Sequence, residues 1–350
     1  MEAAMYLVGE PIFDLDPRED FLAPLGQAEL CLVVLQETQD AGRVARIMAE
    51  EYLAIIYALR QMDVDFRIVF AHEEKIHKGV ASCCARELGC RFARFGEGFF
   101  PPSIVYPRDF CTIIPGTLLV NEYVQILKES NKGWKIVSHP YGEGGRSLVA
   151  GDIILLSEWV YPPNSNTTRR VSLGEIEGIR QAGMRTAFFP PPAGIRIKPS
   201  GLTSRVWFSD HIDRVGTLLQ GQSASLHLVM DPRCVLARIV DDRTRKWEPM
   251  FPDEAFSWLR RLIVPLGVEL HIPPLLKVPY SVNLLQVPDG RVLMTKGEEG
   301  GLLEVIQSIV GIQNVFETEL PIRYIPTWLY AGIRCLIGDW PEPLMKGYGG

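Results

Sequence analysis

Long apolar runs are missing from this chain. No stretch approaches the roughly 18 consecutive apolar residues that span a bilayer, which excludes a helical membrane protein. Basic charge is also short: 36 Lys and Arg stand against 42 Asp and Glu, for a net charge of −6. No local run of basic residues offsets that balance, so the electrostatic footprint of a nucleic-acid binder is absent. The opening MEAAMYLVGEPIFDLD lacks a basic segment and meets acids early, so no signal or transit peptide is expected. C-x-x-C pairs are missing, and the cysteine count, 7, is odd; neither a disulfide framework nor a zinc ribbon is supported. Cys31, Cys83, Cys84, Cys90, Cys111 and Cys234 sit among apolar neighbours and read as reduced core thiols. What is present is a globular mixture, 47% apolar and 22% charged over 350 residues, which excludes disorder and collagen-like repetition. The expectation is a soluble cytoplasmic protein with a full core and no membrane partner.

Strands and helices alternate along the chain. Leu32 to Leu35 and Phe66 to Phe70 are short apolar runs of strand type. Arg43 to Arg60 places Val44, Ile47, Met48, Ile55, Ile56 and Leu59 on one helical face. Lys75 to Leu88 is a further helix. Ser172 with Glu175 forms a capping box whose helix ends at Gly183. Pro252-Asp253 opens a helix through Leu262, and Leu302 to Val310 is another, stopped by Gly311.

A repeated shape is more informative than any one element. Asp109–Glu122, Glu143–Glu158, His211–Asp231 and Asn283–Lys296 each hold a polar residue, an apolar run, a turn, a second apolar run and a polar stop. Their turns, Pro-Gly, Gly-Asp, Gln-Gly-Gln and Pro-Asp-Gly, are hairpin punctuation. Together with a unit around Cys31–Phe70, the chain divides into five modules, approximately 25–98, 99–140, 141–200, 201–275 and 276–350, within one domain spanning 1–350. Units that cannot bury their own faces must pack on one another, and ring closure is one economical solution. An ordinary mixed sheet with similar hairpins is the alternative.

Three of these hairpins open on Asp109, Glu143 and His211. In a ring, equivalent positions face one axis and would gather two carboxylates and an imidazole. Asp213 follows on the same strand face, because strand side chains alternate. The last module adds Cys335 in AGIRCLIG. Such a set suits a guanidinium. Carboxylates grip its N–H edges, a thiolate attacks its central carbon, and a histidine moves the protons while a carboxylate orients it.

Several bland readings stand beside this one. Arg108-Asp109 would serve as a surface ion pair and Gly144-Gly145 as a simple turn. GEGGRS lacks the Lys-Ser/Thr of a phosphate loop. His72 and His77 have the wrong spacing for H-E-x-x-H, and Asn166-Thr167-Thr168 matches a glycosylation acceptor without a secretory context. His139, His227 and His271 show no partner pattern, and no metal-ligand spacing stands out.

Tyr106-Pro107-Arg108-Asp109, Gly142-Glu143-Gly144-Gly145, His211-Ile212-Asp213 and Gly332-Ile333-Arg334-Cys335 occur in that order. Taken together they resemble the guanidino-group-modifying enzymes of the pentein superfamily: arginine and agmatine deiminases, dimethylarginine hydrolases and amidinotransferases. The resemblance spans Arg108 to Cys335. It implies an α/β fold, a five-bladed propeller of ββαβ units around a central funnel. It further implies that Cys335 is the nucleophile, that His211 with Glu143 handles protons, and that Asp109 and Asp213 hold the guanidinium. The expected activity is hydrolysis of arginine or a related guanidine through a thiouronium on Cys335. Amidino transfer to an amine and a non-catalytic binding module are the alternatives. No cofactor is expected, because thiol, imidazole and carboxylates cover every bond and proton; the partner is a small guanidine. Arg108 and Arg334, with Arg146 and Arg214, are candidates by position for a substrate carboxylate, and Phe13-Asp14-Leu15-Asp16 for covering the mouth. The chain departs from the family in lacking a Gly-rich run with His before the cysteine, where it has Tyr330-Ala331-Gly332-Ile333-Arg334, and in having Pro107 before Arg-Asp.

Overall fold

A computed structural model describes residues 4–9, 21–31, 41–70, 89–94, 107–121, 134–161, 168–197, 203–241, 244, 246–319, 333–341 and 346–347. The expected strand Leu32 to Leu35, the helix Lys75 to Leu88, Cys83, Cys84, His72, His77 and Phe13 to Asp16 lie outside the described residues.

Four helices stand where the sequence placed them, by apolar spacing for the first and by caps and end residues for the others: α1 (Ala41–Gln61), α2 (Leu173–Gln181), α3 (Pro252–Ile263) and α4 (Leu302–Val310). In α1, Tyr52, Ile55, Ile56 and Leu59 are buried, the i, i+3, i+4, i+7 stripe that a core-facing helix shows. Ser172 caps α2, accepting from the Glu175 N–H, while the Glu175 carboxylate accepts from the Ser172 N–H at 2.9 Å.

The sheets are small and share one pattern: an antiparallel hairpin whose second strand pairs in parallel with a strand arriving later. It occurs in Cys111–Ile114, Thr117–Val120 and Lys135–Ser138. It recurs in Ser147–Ala150, Ile153–Ser157 and, after α2, Arg185–Phe189. The third case is Gly216–Gln220, Leu226–Met230 and, after α3, Val268–His271. The fourth is Leu285–Gln286, Val292–Thr295 and, after α4, Val315–Thr318. Each of the four sequence hairpins is therefore present. The first turns at Gly116, whose φ of 64° is in the left-handed region that glycine enters without steric cost.

The same pattern appears once more, assembled from both ends of the chain. Ala4–Gly9 pairs antiparallel with Ile337–Pro341 and parallel with Phe66–Phe70. The module 276–350 thus gives up its strands Ile337–Pro341 and Lys346–Gly347 to the N-terminal sheet. Short two- and three-stranded sheets, among them Leu236–Asp241 with Lys246–Met250, complete a mixed α/β architecture.

Asp109, Glu143 and His211 do not sit on first strand positions, as the repeat suggested. They lie in 3-10 turns just before them: Pro107–Phe110, the junction of Pro140–Gly142 with Gly144–Arg146, and the cap of Ile212–Arg214. Asp213 is likewise in a turn and not on a strand. Sheet pairing begins only at Cys111, Ser147 and Gly216, after these turns. These turns pack in sequence: 333–336 on 107–110, 107–110 on 144–146, and 144–146 on 212–214.

Cys31, Cys111 and Cys234 are free and buried, as expected, and Cys90 is half-buried. Among the described residues no helix is long and apolar enough to cross a membrane. Replacing Ser172 with Ala removes the reciprocal cap of α2 and is expected to lower stability by about 0.5–1 kcal/mol in urea melts. Ser172→Asp should recover most of that loss, because it restores the acceptor.

Candidate active site

The Gly-Glu-Gly-Gly motif has a steric reason. A Cβ on Gly144 would lie 2.4 Å from Arg108 Cγ and 2.6 Å from the Arg108 carbonyl oxygen. One on Gly145 would lie 2.2 Å from His211 Nδ1. Only bare backbone lets the 144–146 turn wedge between the Arg108 and His211 turns, and this wedge brings residues 68 positions apart into contact.

A chain of buried charges follows. His211 Nε2 bonds Glu143 Oε1. The other Glu143 oxygen meets Arg146 Nη2 at 2.9 Å. Arg146 Nε donates to Asp210 Oδ2 at 2.6 Å, and its remaining nitrogens donate to the carbonyls of Pro140 and Tyr161, each at 3.0 Å. Two cations, counting protonated His211, face two anions, so four costly buried charges compensate one another. Burial alone would push the Glu143 carboxyl up, but Arg146 and then His211 outweigh it and hold the group down to about 2. Glu143 in turn overcomes the burial of His211 and raises the imidazole to about 9.

The second half of the site centres on Asn283. Its Nδ2 donates to Asp213 Oδ2 at 3.0 Å and lies 3.4 Å from Cys335 Sγ, while its Oδ1 accepts from the Cys335 N–H at 3.2 Å. Cys335 Sγ is 3.5 Å from Asp213 Oδ2. His211 Nδ1 is 3.9 Å from Asp213 Oδ1, so the two halves meet at Asp213. That Oδ1 is buried and accepts no hydrogen bond. Burial and the carboxylates of Asp213 and Asp109 keep the Cys335 thiol well above its ordinary range, so it is protonated at neutral pH. The side chain that faces the sulfur is the Asp213 carboxylate. Asp109, through burial and the charge of Glu143, is raised to about 7.

The structure thus brings Cys335, His211, Glu143, Asp213 and Asp109 into one electrostatic cluster. Arg108 and Arg146 enter it differently from the sequence expectation of a carboxylate-binding arginine. Arg108 is buried, donates from Nη2 to the carbonyls of Gly144 at 2.8 Å and Ser147 at 3.0 Å, and places Nε 3.5 Å from Asp213. Its fork holds turns together. Arg334 is half-buried and donates to Asp339 at 3.0 Å. A cavity of about 810 Å³ between the hairpins reaches Arg108, Asp213, Asn283 and Arg334. Asn283 was missed as a site residue, although it opens the fourth hairpin just as Asp109, Glu143 and His211 open theirs. Asp210 had no signal beyond adjacency to His211.

No family model matches the chain, and no curated protein matches it. Among solved structures it is similar to the "Putative Arginine Deiminase from Porphyromonas gingivalis", with a TM-score of 0.50, 12% identity, and coverage of 98% of this chain and 97% of that one. At that identity the likeness concerns fold alone.

The raised His211 sets a pH dependence. Its contribution to stability is complete below the ordinary value of 6.5 and is lost as pH rises through about 9. Glu143 contributes above its ordinary 4.5 and loses that contribution as pH falls toward about 2. Urea melts should therefore show stability falling between pH 6.5 and 9. By NMR, Glu143→Gln should move the His211 titration down from about 9 toward 6.5, because the carboxylate that outweighs burial is gone, and flatten that alkaline slope.

Proposed function

We propose that this protein is a cytoplasmic, cysteine-dependent hydrolase that cleaves a guanidinium C–N bond of arginine or an arginine-like compound. Its five hairpin-plus-strand units would form a ring, the five-bladed pentein arrangement, as one domain. The observation that carries the reading is the buried Asp213 carboxylate: its Oδ1 accepts no hydrogen bond and faces the Glu143-held His211 at 3.9 Å, and its Oδ2 lies 3.5 Å from the Cys335 thiol. A lone carboxylate oxygen at that place lacks an N–H donor, which a guanidinium supplies. The like pattern of five sheets, the serial packing of their opening turns, and the fold shared with a protein named for arginine deiminase support the architecture.

In this reading a guanidinium docks between Asp213 and Asp109. Its positive charge offsets the two carboxylates that keep the Cys335 thiol protonated, so the thiol gives its proton to solvent and the thiolate forms once substrate is bound. Sγ attacks the central carbon, an S–C bond forms, and the carbon becomes tetrahedral. The C–N bond then breaks, and protonated His211 gives its proton to the departing nitrogen. Neutral His211 next takes a proton from water. The hydroxide oxygen bonds to the thiouronium carbon; the C–S bond then breaks, the hydroxyl proton passes to the departing sulfur to restore the Cys335 thiol, and a ureido product is released. Glu143 orients His211 and stabilises its charged form throughout, as the carboxylate of a catalytic triad does. No step calls on a cofactor.

Cys335→Ser should abolish turnover while circular dichroism and melting stay native, because an unactivated hydroxyl is a much weaker nucleophile. The assay is a panel of guanidines with ammonia, ureido product and newly formed guanidine all measured. Ammonia with ureido product supports the proposal. A new guanidine without ammonia would instead make the protein an amidinotransferase, and binding without turnover a binding module.

Affinity separates the clamp from the proton carrier. In a Cys335→Ala background, Asp213→Asn should weaken guanidine binding at least about tenfold, since hydrogen bonds to charged groups contribute about 1.5–3 kcal/mol each. His211→Ala should retain most of the affinity. Calorimetric titration with arginine and simpler guanidines checks both, and equal binding by Asp213→Asn would remove the guanidinium clamp.

A further inference from the structure

Outside the Cys335 cluster, three metal-ligand side chains meet on the third repeated sheet. Leu226–Met230 and Val268–His271 pair in parallel with His227 opposite Glu269 and Val229 opposite His271. Leu226, Leu228, Met230 and Val268 belong to one apolar core, so alternation sends His227, Glu269 and His271 to the other face. There His227 Nδ1 lies 2.9 Å from His271 Nε2. Glu269 oxygens lie 3.6 Å from His227 Nδ1 and 3.7 Å from His271 Nε2.

We propose that His227, Glu269 and His271 form a binding site for a divalent transition-metal ion of the zinc class, which ties these two strands together. Metal–ligand bonds of about 2.0–2.1 Å in a tetrahedron place ligand atoms about 3.3 Å apart; the two nitrogens are 2.9 Å apart, and the two Glu269 oxygens, one toward each imidazole, stand 3.6 and 3.7 Å from them. Two imidazoles and a carboxylate are a zinc donor set. The Glu269 side chain is 68% exposed, so an ion has a route in and a solvent-facing fourth position. Ser225 Oγ, 2.7 Å from His227 Nε2, provides the outer contact that such sites use. When an ion takes Nδ1, the ring's single proton resides on Nε2 and is donated to Ser225, so ligation needs no net proton loss there. Space for that contact comes from Gly221, where a Cβ would lie 2.7 Å from His227 Nε2 and 2.9 Å from Ser225 Oγ.

The site is independent of the proposed chemistry at Cys335, and the test removes that thiol as a competing ligand. Full-length Cys335→Ala protein is titrated with zinc chloride by calorimetry, with thermal melting in parallel. One equivalent should bind and raise the melting temperature. His271→Asn and Glu269→Gln should each weaken binding at least about tenfold, and Ser225→Ala about tenfold, as outer-contact losses do. Glu269→Gln changes a mostly exposed side chain and keeps the test valid if a histidine variant unfolds. Absence of zinc binding, or one-equivalent binding unchanged in Glu269→Gln and in any folded His227→Asn or His271→Asn variant, would overturn the proposal.

Discussion

The structure around the candidate site depends on one buried chain of charge, Asp210–Arg146–Glu143–His211. Each of these groups would be expensive to bury alone. Arg146 makes the burial tolerable because its planar fork reaches two carboxylates and two carbonyls at once. It anchors Glu143 in the ionised form, and Glu143 then holds His211 in place as a cation. An arginine one contact removed from His211 thereby supports, through Glu143, the charge of the imidazole that carries protons in the proposed reaction.

Asn283 has the complementary task on the other side of Asp213. Its amide satisfies one Asp213 oxygen and fixes the Cys335 backbone, while leaving the second oxygen without a donor. A buried carboxylate oxygen in that condition is costly. The surrounding turns retain it because the glycine wedge at 144–145 and the double carbonyl grip of Arg108 hold them at close approach. The thiol beside it is correspondingly quiet in the unliganded protein, and a cationic ligand would relieve both strains at once.

Pairing between distant strands does the remaining work. Ala4–Gly9 meets Ile337–Pro341, which places the turn carrying Cys335 next to the turn carrying Arg108 and Asp109. On the third sheet, parallel pairing brings His227 to His271 across 44 positions. In both cases the chemistry arises where strands from different stretches of chain align, because pairing register, and not local spacing, determines which side chains share a face.

The elements and their repetition were legible in the sequence. Apolar spacing marked α1, caps and end residues marked α2 to α4, turn chemistry marked the four hairpins, and ordered motifs singled out Asp109, Glu143, His211, Asp213 and Cys335. These are local signals: a period, a cap, a glycine at a turn. Only the tertiary structure decided that the site residues ride on 3-10 turns, that Asn283 joins Asp213 to Cys335, that Arg108 and Arg146 are bound into the scaffold, and that His227, Glu269 and His271 converge. Each of those outcomes depends on contacts between residues tens to hundreds of positions apart, and on burial, which sets charge states that composition does not display.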